Sequence, residues 1–108
     1  MTLQETQRLV IEHANANFGR KTILRRTAKL AEEAGEVMKA TNRLLERRGM
    51  PDDIAEELGD LFVTMLTVAE SAGFDIEEVL EDGVKRFLAR EWPMITPQDE
   101  YEDAWWLD

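Results

Sequence analysis

Four stretches of helix-forming residues, each with apolar side chains at alternating three- and four-residue steps, constrain this chain more than any other feature. They are cut apart at Gly19, at Gly49-Met50-Pro51, at Gly73, and at Trp92-Pro93 with Pro97, residues that favour turns over helix interiors. The first stretch, roughly Thr2 to Phe18, sets Leu3, Val10, Ile11, Ala14 and Phe18 along one stripe. The second, Ile23 to Arg48, carries Leu30, Ala34, Val37, Thr41 and Leu44. The third follows Pro51, where Asp53 and Glu56 suit a capping box, and carries Ile54, Leu58, Leu61, Met65 and Val68. The fourth repeats the start signal with Asp75 and Glu78, then shows Ile76, Val79, Leu80, Gly83 and Phe87. Stripes of this period joined by short connections pack as near-antiparallel helices. The expected fold is therefore all-α, a four-helix bundle-like domain over residues 1–92. Met38, Phe62, Leu66 and Leu88 fall outside the narrow seams, which leaves apolar surface for a second copy to cover.

The 108 residues suffice for one domain and not for a second core. Residues 93–108 mix acids with Tyr101, Trp105 and Trp106 without a period. They are expected to form an acidic, aromatic tail that either frays or docks its indoles on the domain or a second subunit. The absence of Cys removes disulfides, thiolate zinc sites and cysteine nucleophiles, and a single His removes imidazole-dominated chemistry. A formal charge of -10 disfavours duplex nucleic acid, whose phosphates need clustered cations. No apolar run reaches membrane-spanning length and the start has no signal-peptide pattern, so a soluble, cytoplasmic protein without a membrane partner is expected.

Within the second and third segments a seven-residue pattern occurs twice. Ala31-Glu32-Glu33-Ala34-Gly35-Glu36-Val37 is echoed by Ala55-Glu56-Glu57-Leu58-Gly59-Asp60-Leu61. At about 100° per residue, Glu33 and Glu36 fall on one flank of their apolar stripe, and Glu57 and Asp60 on the matching flank of theirs. Antiparallel packing through the stripes brings the two flanks to one side. A hairpin centred near Gly49 leaves the first pair about seven residues further from the turn, ~10 Å at 1.5 Å per residue, so the second helix must end early, bend or cross at an angle. Four carboxylates so placed repel and need a counter-cation. Oxygen-only ligation suits Mg²⁺ or Mn²⁺ and argues against zinc. A solvated helix face explains any single Glu-x-x-Glu; the repetition, the flank and the shared side favour a site. Gly35 and Gly59 are explained by close approach of another helix.

Arg20, Lys21, Arg25, Arg26 and Lys29 concentrate cations before the first acidic motif, with Lys29 one turn before Glu33 on the same flank. Asp82, Lys85, Arg86 and Arg90 form a second mixed cluster. Phosphate contact and ordinary surface pairing are both open for these side chains. His13 is expected to face solvent or a subunit. Phe18, Phe62, Phe87 and Trp92 are expected in the core rather than stacked on a base.

Glu32-Glu33-x-x-Glu36 followed by Glu57-x-x-Asp60 resembles the signature of the MazG-like, all-α nucleoside triphosphate pyrophosphatases, and the likeness runs from about Ala28 to Arg90. The resemblance implies Mg²⁺-dependent cleavage of a nucleoside triphosphate to the monophosphate and pyrophosphate, with Mn²⁺ as a possible substitute. It assigns metal binding to Glu33, Glu36, Glu57 and Asp60, and orientation or deprotonation of the attacking water to Glu32. Lys29, Lys85 and Arg86 would neutralise phosphate oxygens, and Asp82 would bind a metal or a substrate group. It also implies a homodimer or homotetramer whose neighbouring subunits complete the nucleotide pocket. The rival readings are a phosphoribosyl-ATP pyrophosphohydrolase-like enzyme and a non-enzymatic helical interaction module.

Overall fold

The computed structural model describes residues 1–93 and 105–107. Four helices account for nearly all of the regular structure: α1 (Leu3–Phe18), α2 (Ile23–Leu45), α3 (Pro51–Ala72) and α4 (Ile76–Ala89). Among the described residues a 3-10 turn, Trp105–Leu107, follows. No strand occurs among the described residues, and none of their helices is long and apolar enough to cross a membrane.

Side-chain caps fix most of the helix starts. The Thr2 hydroxyl accepts from the Glu5 N–H and the Thr22 hydroxyl from the Arg25 N–H, while the Asp75 carboxylate accepts from the Glu77 N–H. Each satisfies a donor that the helix itself leaves unpaired. The third start differs from the expected Asp53/Glu56 box. Pro51 begins α3, and the Asp53 carboxylate reaches back to accept from the Met50 N–H at 2.9 Å, so Asp53 lies inside the first turn. Its Pro sets the boundary, because its fixed φ and missing N–H suit the first helical position.

α2 ends early. After Leu45 the chain leaves the helix through a double closure in which the Arg48 N–H donates to the Arg43 carbonyl and the Arg47 N–H to that of Leu44. Arg47 takes the left-handed conformation, φ 59°, that this closure requires. Gly49 then passes so close to α2 that an added Cβ would sit 3.3 Å from the Arg43 Cβ. The tight reversal makes α2 and α3 an antiparallel hairpin, which is the most extensive helix pairing in the chain.

α1 packs on α3 and α4. Gln7, buried at their junction, accepts from the Ile76 N–H at 3.0 Å and donates to the Phe74 carbonyl at 3.1 Å. Around it Leu66, Ala69 and Ile76 form the core, with Leu3 and Val10 against them. Arg26 ties three helices: it donates to the Thr67 carbonyl, the Ser71 hydroxyl and the Asn15 side-chain oxygen. Those three bonds give the guanidinium a structural role.

Several packing expectations are corrected. Leu66, expected outside the seams, is completely buried, whereas Leu58 and Met65 of the expected α3 stripe are exposed. The reason is that α3 is central: α1, α2 and α4 all pack on it, so more than one face is covered. On α4 only Ile76 is buried; Val79, Leu80, Val84, Phe87 and Leu88 are exposed. Phe18, Phe62, Phe87 and Trp92 are exposed as well, so none is a core residue of the single chain. Nothing approaches within 4 Å of a Cβ built on Gly35 or Gly59, so close approach of a helix within the chain does not explain them. The radius of gyration, 17.1 Å, exceeds the ~13 Å of a compact chain of this length, consistent with these uncovered faces.

Most of the expected tail, residues 94–104 and 108 with Tyr101 among them, lies outside the described residues. Trp105 and Trp106 are half-buried, with their rings edge to face at 5.9 Å. The Arg47 guanidinium lies 5.0 Å from the Trp105 ring centre, which puts the indole against the α2–α3 reversal.

Candidate active site

The hairpin decides which acids meet. Glu33 projects from α2, and Glu57 and Asp60 project from α3 one turn apart; one carboxylate oxygen of each lies within 4.8 Å of the others. Glu33 and Glu57 are half-buried and Asp60 is exposed. Glu36, on the next turn of α2, does not join this set, but its charge still acts on Glu57. Early termination of α2 shortens the expected offset between the two acidic pairs without removing it: the reversal starts at Glu46 instead of beyond Arg48.

Glu57 is the electrostatic centre of the group. Its carboxyl is pushed above the ordinary value first by loss of surrounding water, then by the like charges of Asp60, Glu36, Glu33 and Glu56. Such mutual repulsion favours whatever cation enters. The donor set would fit a hard divalent ion, since every group in it offers a carboxylate oxygen.

A cation stands beside this group. The Lys29 ammonium is 3.2 Å from Glu33 and 3.5 Å from Glu32, and the two carboxylates raise its pKa, the hydrogen bond with Glu33 most. Glu32 itself is well exposed, on the outer side of the group. Lys29 also lines a cleft of about 900 Å³ between α1, the start of α2 and the middle of α3. Leu9, Val10, Phe18 and Val63 give it apolar walls, with His13 on the α1 side, and Lys21 and Arg25 add positive charge. Sequence reasoning missed this cleft, because it is formed by residues from three helices; its one legible signal was the run of cations ahead of Glu33.

The second mixed cluster stands apart. Asp82, Lys85 and Arg86 are exposed on α4, and none is among the charges that act on Glu57. Arg86 lines an apolar groove between α3 and α4 with Phe62, Val79 and Phe87.

An all-helical chain that gathers carboxylates from two antiparallel helices beside a cationic, apolar-walled cleft has the architecture of an α-helical hydrolase of phosphorylated substrates. Residues 19–92 match the MazG nucleotide pyrophosphohydrolase domain, and the chain belongs to that family. It is similar to a solved structure described as the Bacillus-conserved MazG protein, a nucleotide pyrophosphohydrolase. The two are 29% identical, the match covers 84% of this chain and 94% of that one, and the TM-score is 0.68. No curated protein matches the chain. The protein is accordingly a hydrolase acting on nucleotides.

Proposed function

We propose that the protein cleaves nucleoside triphosphates between the α- and β-phosphates, releasing the monophosphate and pyrophosphate, and that it needs Mg²⁺, for which Mn²⁺ substitutes. The observation that carries this is the convergence of Glu33, Glu57 and Asp60 to within 4.8 Å. Those three hold the ion, and Glu36 completes the set after a modest side-chain movement. A divalent cation so bound polarises phosphoryl oxygens and makes water a better nucleophile at neutral pH. No protein nucleophile is then needed, in keeping with a chain that has no Cys.

The remaining roles follow from position. The nucleotide's apolar part lies in the cleft walled by Leu9, Val10, Phe18 and Val63, and Lys29 neutralises its phosphates. Glu32, exposed beside Lys29, orients the attacking water and takes its proton. Asp82, Lys85 and Arg86 serve a site formed with a neighbouring copy, since they are exposed on α4 and none is among the charges that raise Glu57. The exposed apolar face of α4 supports a homodimer or homotetramer. Residues 1–92 act as the helical domain and residues 93–108 as an appended tail, and a cytoplasmic nucleotide pool is the expected setting.

Pyrophosphate release measured over canonical, deoxy- and damaged nucleoside triphosphates, with phosphoribosyl-ATP alongside, tests the reading. Metal-dependent release from a triphosphate upholds it. Faster turnover of phosphoribosyl-ATP than of every triphosphate overturns the substrate, and absence of any metal-dependent release overturns the reaction.

A further inference from the structure

We propose that Lys29 is the site's own exchangeable counter-ion: it holds Glu33 while no metal is bound and moves to the substrate's phosphates when a divalent cation takes Glu33 over. The inference rests on the metal and nucleotide reading above and adds a second position for this side chain. Glu33 is the pivot. Its side chain is 12% exposed, it shares the set within 4.8 Å with Glu57 and Asp60, and its carboxylate receives the Lys29 ammonium at 3.2 Å. A cation entering between the two helices therefore meets a carboxylate that already has a partner.

The partner is built to leave. The Lys29 side chain is 54% exposed, and pairs this open to water shift an equilibrium by only about 1.4- to 5-fold. Lys also precedes Glu by four residues, the weaker order for such a pair on a helix. Its second contact, Glu32 at 3.5 Å, is exposed too and offers no anchor. A divalent ion offsets two of the three carboxylate charges, so it weakens the group's hold on the ammonium beside it. The flexible four-carbon stem lets the ammonium swing while its base stays on α2. The cleft that Lys29 already lines is where a polyphosphate supplies the replacement charge. Metal and nucleotide binding are thereby coupled: each makes the released Lys29 position more favourable.

The test compares the full-length wild type with Lys29→Met and Lys29→Arg, each checked for folding by thermal melting. Mn²⁺ affinity is titrated without nucleotide by electron paramagnetic resonance. Binding of an α,β-methylene triphosphate analogue is then measured with Mn²⁺ saturating. Lys29→Met is expected to bind Mn²⁺ about three- to tenfold more tightly, having lost both the competitor and its repulsion, and to bind the analogue about tenfold more weakly. Lys29→Arg keeps the charge and lies near the wild type in the Mn²⁺ titration. Unchanged or weaker Mn²⁺ binding by Lys29→Met overturns the counter-ion role. Tighter Mn²⁺ binding with unchanged analogue affinity overturns the movement, since it describes a fixed charge only. If the wild type binds Mn²⁺ and releases pyrophosphate in either case, the functional reading stands; a wild type that binds no Mn²⁺ removes both.

Discussion

Replacing Gln7 with Leu isolates the polar contact that joins α1 to the start of α4. Gln7 is 6% exposed, and its amide makes two well-formed bonds, from the Ile76 N–H at 3.0 Å and to the Phe74 carbonyl at 3.1 Å. A third, to the Leu66 carbonyl, is stretched to 3.5 Å and counts for little. Leu preserves most of the volume but leaves a buried helix-terminal N–H and a partly buried carbonyl without their protein partner. Each such loss costs ~1–3 kcal/mol, with the carbonyl at the lower end because water reaches it. Burying Leu instead of an amide returns about 1 kcal/mol. The net loss is ~1.5–3 kcal/mol, which for a domain near 100 residues lowers Tm by ~6–15 °C. Gln7→Glu keeps an acceptor for the Ile76 N–H and places negative charge at a helix start, so it should fall between the wild type and Leu. Differential scanning calorimetry at fixed protein concentration measures all three. A Gln7→Leu Tm within ~2 °C of wild type refutes the assignment of the α1–α4 junction to this amide.

Three further outcomes follow from the site and the hairpin. Glu57→Gln is expected to lower the turnover number by at least about a hundredfold while leaving the helical circular dichroism unchanged; retention of activity removes Glu57 from the metal set. Because Glu57 is raised above its ordinary 4.5, its contribution to metal-free stability is fully present below that value and is lost as pH rises through the raised one. The Tm gap between Glu57→Gln and wild type should thus be small near pH 4, grow in favour of Gln towards pH 7, and shrink or reverse with Mg²⁺; a gap independent of pH contradicts the crowding of carboxylates. Gly59→Ala should raise stability by ~0.5–1 kcal/mol in urea unfolding, since a Cβ there meets nothing within 4 Å, and a loss instead would reveal a close neighbour from another copy.

Both acidic motifs were legible because a helix converts three-residue spacing into adjacency, and this holds wherever the helix is packed. Glu33, Glu57 and Asp60 could be named together on that ground, although Glu36 was expected on equal terms and stands outside the trio. Arg26 shows the opposite case: within the run of cations nothing set it apart from Arg25, and only the positions of Asn15, Thr67 and Ser71 turned it into a structural clasp. Gln7 gave no signal at all, since a lone amide on a helix is silent until a distant backbone comes to meet it.

The sequence by itself determined four helices, the start signal at Asp75, and the flank on which each acid lies, because these depend on contacts no more than about four residues apart. The tertiary structure decided how far α2 runs before it turns, which face of α3 is covered, and which acids lie close enough to share a cation. Those outcomes depend on how helices sit against one another, and a shift of one turn, ~5.4 Å along an axis, separates carboxylates that converge from carboxylates that do not.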